Sequence, residues 1–133
     1  MKRHLPAIIF VVLFSTSAWA GGDDQIVSYC KGVFDSSFSM IKRCVDREKT
    51  ARSELEAMQP DAAILGYCKK VFDQGWSMVK RCVKREENAK AGLQSQNIDD
   101  GIFSHCKNVF GEGWSMIERC VARELKAKSE LGM

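Results

Sequence analysis

Apolar and polar positions follow helical spacing in two adjacent segments near the start of the chain. Ile26, Tyr29, Cys30, Val33 and Phe34 stand at i, i+3, i+4, i+7 and i+8, one face of a helix. Ile41, Cys44, Glu48, Ala51 and Leu55 alternate steps of three and four and mark a second helical face. Asp35, Ser36 and Ser37 between them are turn-forming residue types. The pattern predicts a helix, a turn and a longer second helix.

This pattern occurs three times with a period of 38 residues, and no insertion separates the copies. The first cysteine of each copy is followed 14 residues later by a second: Cys30 and Cys44, Cys68 and Cys82, Cys106 and Cys120. A fixed period of this size is typical of repeat architectures. The predicted units are residues 21–58, 59–96 and 97–133.

The cysteine spacing predicts that the chain turns back within each unit. Fourteen residues of continuous helix would span ~21 Å, whereas a disulfide needs Cα atoms within about 7 Å. We predict the pairs Cys30–Cys44, Cys68–Cys82 and Cys106–Cys120, because only this pairing repeats identically in every unit. The predicted fold is all-α: three tandem disulfide-stapled antiparallel hairpins.

The second helix of each unit is longer than the first, so its last apolar residues have no partner within their own hairpin. Ala51 and Leu55 are expected to pack on a neighbouring unit, which predicts a short stacked α-solenoid. The alternative is three separate beads. Reflection about the turn predicts core pairs Val33–Ile41 and Phe34–Met40. It also places Glu48 near the start of the first helix, where N–H groups lack partners.

Helix starts are expected at acidic residues just upstream of each first helix. Asp24, Asp61 and either Asp99 or Asp100 are the candidate N-caps. A different kind of segment precedes them. Residues 1–20 have a basic start, an apolar run and a small-residue cleavage box, which are the features of a secretory signal peptide.

Net charge and cysteine content indicate which functions and compartments are compatible with the sequence. Removing Lys2 and Arg3 with the signal peptide leaves 18 Lys and Arg against 17 Asp and Glu, a formal charge of +1 instead of +3. That balance argues against nucleic-acid binding, which usually needs a basic excess. Six cysteines in a short exported chain favour disulfides and an oxidising compartment, the periplasm or the exterior. No further transmembrane segment is expected.

Two sets of side chains are candidates for a binding surface. Each second helix carries two arginines four residues apart: Arg43 and Arg47, Arg81 and Arg85, Arg119 and Arg123. We call these six the arginine ladder, since stacked hairpins would align them to grip carboxylates or phosphates. The alternative is a solvated face paired with nearby glutamates. Phe38, Trp76 and Trp114 form either an aromatic ledge or the closing layer of each hairpin core.

Metal binding and catalysis are weaker candidates. Cys30, Cys44 and Met40 could supply soft ligands for a metal such as Cu(I), but structural disulfides and a methionine packed in the core are the more ordinary interpretation. His105 is the single histidine after residue 20, and its equivalents are Tyr29 and Tyr67, so a packing role is favoured. The chain has none of the common catalytic motifs, and we expect no cofactor and no enzyme activity.

The block C-x-x-x-F-x-x-x-[FW]-S-M-x-x-x-C-V, present in all three units, resembles a motif of small bacterial exported proteins without an assigned activity. The resemblance implies a bacterial origin. Together these features favour a non-enzymatic binding module of the envelope, of which an inhibitor or immunity protein is a narrower version. Its partner would be a protein or an anionic envelope component. A periplasmic metal-binding protein is the alternative.

Overall fold

The computed structural model describes residues 22–133, and this part of the chain forms three helical hairpins. The helices are α1 (Asp23–Phe34), α2 (Phe38–Met58), α3 (Ala62–Val71), α4 (Trp76–Gln94), α5 (Asp100–Phe110) and α6 (Trp114–Glu130). Each hairpin is a short helix followed by a longer one, as the periodicity predicts. The predicted signal peptide, residues 1–20, lies outside the described residues.

Each hairpin is held by its predicted disulfide. The bonds are Cys30–Cys44, Cys68–Cys82 and Cys106–Cys120. Their Cα atoms are 5.7 Å apart in all three, and the six half-cystines are buried. A bridge that closes a loop of about 15 residues contributes roughly 3 kcal/mol in the chain-entropy model. This matters because one short hairpin buries little apolar surface of its own.

Two of the predicted helix caps are present. Asp61 and Asp99 cap α3 and α5, and each carboxylate accepts hydrogen bonds of 2.9–3.3 Å from two N–H groups of the first turn. Gly22, not Asp24, occupies the N-cap of α1, and Asp100 is the first residue of α5. The expectation for Asp24 was therefore wrong: an N-cap there would start the helix at Gln25, whereas α1 begins two residues earlier, at Asp23.

The three hairpins stack through their long helices. The axes of α2, α4 and α6 lie side by side, and each short helix lies along its own long helix. Leu55 is fully buried and Ala51 is 5% exposed, in one apolar cluster that also contains Ile64 and Val79 of the second hairpin. The predicted packing of these two residues on the next unit, and with it the solenoid, is confirmed.

A buried glutamate joins each hairpin to the next. Glu48 in α2 is 0% exposed; its Oε2 accepts from the backbone N–H of Ser77 at 2.9 Å and its Oε1 from the Ser77 hydroxyl at 2.7 Å. Ser77 is the second residue of α4, and the N-cap residue Gly75 has no side chain to satisfy this N–H. A negative charge at this end of a helix is also favourable for the helix dipole.

The second joint repeats this contact, since Glu86 accepts from the N–H and hydroxyl of Ser115 at 3.0 and 2.5 Å. The expectation that Glu48 would lie over α1 was therefore wrong. Reflection about a turn accounts for contacts inside one hairpin, whereas this side of α2 faces the following one. The glutamates fix the offset of the long helices, which displaces equivalent positions by nine residues at both joints.

A further ion pair ties the two helices within each hairpin together. Arg52 contacts Asp23 at 2.8 Å, Lys90 contacts Asp61 at 3.1 Å and Lys128 contacts Asp99 at 3.2 Å. The pKa of each aspartate is lowered. The main causes are Lys49 for Asp23, the N–H of Ile64 followed by Lys90 for Asp61, and Lys128 for Asp99. These contacts hold the start of each short helix against its long partner.

Candidate binding surface

All six members of the arginine ladder are exposed. Arg43 and Arg47 lie one turn apart on α2, and their equivalents recur on α4 and α6. The long helices are staggered, because Glu48 meets Ser77, the equivalent of Ser39 nine residues earlier. Adjacent long helices are therefore displaced by nine residues, ~13 Å of helix, and the ladder forms a stepped band across the stack. The stagger brings the second arginine of one unit beside the first arginine of the next, since Arg47 and Arg81 line the same groove.

The two arginines of each unit differ in their partners. The second one contacts the glutamate that follows it: Arg47–Glu48 at 3.4 Å, Arg85–Glu86 at 3.3 Å and Arg123–Glu124 at 3.8 Å. These arginines nevertheless keep 55–70% of their side chains exposed. The first one, Arg43, Arg81 or Arg119, has no carboxylate within 4.0 Å among the described residues. The expected local pairing with glutamates therefore applies to only half of the ladder.

A row of methionines borders the ladder. Met40, Met78 and Met116 stand three residues before the first arginine of each unit and are 39%, 38% and 40% exposed. The expectation that they pack in the core was wrong. They lie near the turn end of each hairpin, where no other described element covers them.

The predicted core pairs at this end of the hairpin are also incorrect. Val33 is 53% exposed, and its equivalents Val71 and Val109 are 52% and 58% exposed, whereas Ile41 is buried as expected. We define the Met–Arg face as the three methionines together with the arginine ladder. The sequence analysis did not predict the apolar part of this face. The signal available in the sequence was a methionine three residues before an arginine in every unit.

A shallow groove between α2 and α4 is part of this face. It has a volume of about 550 Å³ and is lined by four cationic and two acidic side chains: Arg47, Lys80, Arg81 and Lys84, with Asp46 and Glu54. Lys80 forms an ion pair with Glu54 across the groove, and this contact lowers the pKa of Glu54. Asp46 pairs with Lys42 at 2.7 Å. The remaining cationic groups make the groove suited to an anion.

The aromatic residues have a different role from the ladder. Trp76 is 8% exposed within the core shared by the first two hairpins, and Trp114 is half-buried with Lys107 4.4 Å above its ring. Both tryptophans pack against hairpin cores and contribute less open surface than the ladder; their place in a binding surface stays a prediction. Phe38, the equivalent residue of the first hairpin, is 83% exposed.

Metal binding through cysteine has no chemical basis in this fold. All six cysteines lie in the described residues and are consumed in disulfides, so no thiolate is left as a soft ligand. His105, Cys120 and Glu124 lie close together, with potential ligand atoms within 4.8 Å of one another. Since the Cys120 sulfur is bonded to Cys106, only a His–Glu pair remains there.

Comparison with protein-family models, curated proteins and solved structures found no match to this chain. Within residues 22–133, none of the helices combines the length and apolar character needed to cross a membrane.

Proposed function

We propose that this protein is an exported, non-enzymatic interaction module that binds an anionic partner through the Met–Arg face. The observation that carries the proposal is the threefold exposure of Arg43, Arg81 and Arg119 without a carboxylate partner among the described residues. A guanidinium group presents paired N–H donors that match a carboxylate or phosphate. Three such groups at a constant step along the stack favour a partner with several anionic groups.

The methionine row adds an apolar requirement to this proposal. Methionine side chains are flexible and polarisable, so they adapt to irregular apolar surfaces. An exposed band of methionine beside arginine therefore suits a partner that carries acidic groups next to apolar ones. The groove between α2 and α4 places Arg47 and Arg81 of different hairpins around the same space.

Comparison of the three units supports a role for the arginines. The residue just before Arg43 is Lys42, its equivalent is Lys80, and in the third unit it becomes Glu118. The arginine at the next position is unchanged in all three units. The change from lysine to glutamate follows the partner across each joint, since Lys80 pairs with Glu54 whereas Glu118 faces Gly92. The arginine position has no carboxylate partner among the described residues and still stays arginine, which supports contact with an external partner.

The disulfides support a location in an oxidising compartment. One buried bridge per hairpin indicates that the protein folds in an oxidising environment. We place it in the bacterial periplasm, on the basis of the signal-peptide pattern in residues 1–20. The partner in that compartment would be an anionic envelope component or an acidic envelope protein.

Capture from an envelope extract tests this function. The immobilised chain is compared with the variant Arg43→Gln, Arg81→Gln, Arg119→Gln, which removes charge but keeps much of the side-chain stem. These arginines form no ion pair in the described chain, so the variant should unfold within ~1 kcal/mol per site of the original. The retained protein and phospholipid should fall sharply, and the remainder should depend less on salt.

The matched control removes three positive charges away from the Met–Arg face: Lys31→Gln, Lys49→Gln and Lys70→Gln. Lys31 and Lys70 lie on short helices, and Lys49 lies on the side of α2 that contacts Asp23. The control should capture as much material as the original chain. If both variants captured less material to the same extent, net charge alone would explain the binding. If neither variant captured less, the ladder would be excluded as the binding surface.

A further inference from the structure

The joint between hairpins has two halves, and among residues 22–133 each end of the stack exposes one of them. At the start, Phe38 is 83% exposed, although its equivalent Trp76 is 8% exposed where the first hairpin covers it. At the end, Leu131 is 74% exposed, although its equivalents Leu55 and Leu93 are 0% and 4% exposed. We define the head face as Ser37, Phe38, Ser39 and Lys42, and the tail face as His105, Glu124, Glu130 and Leu131.

The two end faces keep the groups that make the internal joints. Glu124 is the third equivalent of Glu48 and Glu86, and no helix start lies against it within the described chain. Ser39 is the equivalent of Ser77 and Ser115, and no described glutamate caps its helix. Solenoids normally end in capping repeats with polar outer faces. An uncovered Phe38 and Leu131 depart from that rule.

Charge complementarity connects the head face with the tail face. At the first internal joint Glu54 pairs with Lys80. The corresponding positions at the second joint are Gly92 and Glu118, so the pair is absent there. It returns at the two ends of the chain, where the tail face carries Glu130 and the head face carries Lys42. In the single chain these two residues pair locally, with Lys126 at 3.8 Å and Asp46 at 2.7 Å.

Steric complementarity points the same way. A β-carbon at Gly75 would lie 3.3 Å from the Tyr29 hydroxyl oxygen, and one at Gly113 would lie 3.1 Å from that of Tyr67. Tyrosine and glycine thus oppose each other at both internal joints. At the ends the glycine position is Ser37 and the tyrosine position is His105. A histidine has no phenolic hydroxyl, which leaves room for the serine side chain.

We propose that a second copy of this chain covers these faces, with the tail of one copy docked on the head of the next. In this arrangement Glu124 accepts hydrogen bonds from the N–H and hydroxyl of Ser39 in the next copy, as Glu48 does from Ser77. Glu130 pairs with Lys42. The interface continues the joint that already repeats twice within each chain. It is heterologous, so the copies form a filament or a ring rather than a two-fold dimer.

Sedimentation velocity of the exported chain over a range of concentrations tests this inference. The original chain should form species larger than a monomer. Phe38→Glu blocks the head and Leu131→Glu blocks the tail, and both sites are exposed, so helicity should not change. Each variant alone should be monomeric, because losing one buried apolar side chain weakens association by about tenfold or more. A mixture of the two should form a one-to-one dimer and nothing larger.

Charge exchange provides a second readout. Lys42→Glu and Glu130→Lys should each weaken association, and the chain carrying both changes should regain it. A monomeric original chain would overturn the proposal and leave the end faces to another partner. Association of the Leu131→Glu variant at the original strength would also overturn it, since that result indicates head-to-head contact. The proposal would also be contradicted if the mixture of Phe38→Glu and Leu131→Glu stayed monomeric. The same holds if the chain with both Lys42→Glu and Glu130→Lys did not regain association.

Discussion

Glu48 accepts hydrogen bonds from both the backbone N–H and the hydroxyl of Ser77, although the two residues belong to different hairpins. The carboxylate is fully buried, and its second partner is Arg47 at 3.4 Å. A buried charge is tolerated only where it is hydrogen-bonded. This contact therefore specifies one relative position of the hairpins, and that position sets Arg47 beside Arg81 of the next hairpin.

The equivalent glutamate of the second joint can be tested against the same residue at the open end. Glu86→Gln keeps the side-chain shape but removes the charge that faces Ser115, and we expect a loss of about 1–3 kcal/mol in the free energy of unfolding. Glu124→Gln should change it by less than ~0.5 kcal/mol. Urea unfolding at low protein concentration measures both. Equal effects would show that capping across the joint contributes nothing.

The glycine at the second joint gives a prediction of close packing. Gly113→Ala places a β-carbon 3.1 Å from the Tyr67 hydroxyl oxygen, which should cost about 1 kcal/mol or more. The backbone φ of Gly113 is −83°, so alanine is conformationally acceptable there. Adding Tyr67→Phe removes the hydroxyl and should restore much of the loss. Thermal unfolding of the two single variants and the double variant tests this; additive effects would contradict the contact.

The capping aspartates predict a loss of stability in acid. The pKa of Asp61 is lowered by the N–H of Ile64 and by Lys90, so folding favours its charged form. The stabilisation is complete above the unfolded pKa of about 4 and is lost as the pH falls through the lower folded value. Asp61→Asn keeps a good N-cap but has no such titration. The variant should therefore be less stable than the original chain at neutral pH, and this difference in the free energy of unfolding should shrink below about pH 4. A difference that does not change with pH would contradict the prediction.

The hairpins were predictable because their evidence is local. Cys30 and Cys44 lie 14 residues apart around a turn, and helical periodicity on both sides leaves one simple geometry. Burial of Leu55 followed from the length of the second helix. These inferences need only contacts within one unit and the fact that units repeat.

The joint and the surface required the tertiary structure. The offset between Glu48 and Ser77 depends on the angle at which hairpins stack, which no single unit encodes. Met40 and Val33 have core-like character, but the neighbouring hairpins leave the turn ends uncovered. Trp76 is of a residue type that often forms binding surfaces, but in this fold it is buried. Recurrence of Ser39 with Glu48 in every unit was the signal for the joint.

Methionine oxidation footprinting tests the central claim, binding through the Met–Arg face, most directly. The folded chain is oxidised with and without the partner captured from envelope extract, and modification is quantified at each methionine. Met58 is the internal control, because it is 37% exposed while Met40, Met78 and Met116 are 38–40% exposed, and it lies at the far end of α2. We predict protection of those three and unchanged oxidation of Met58. Protection of Met58 with continued oxidation of the other three would contradict the account.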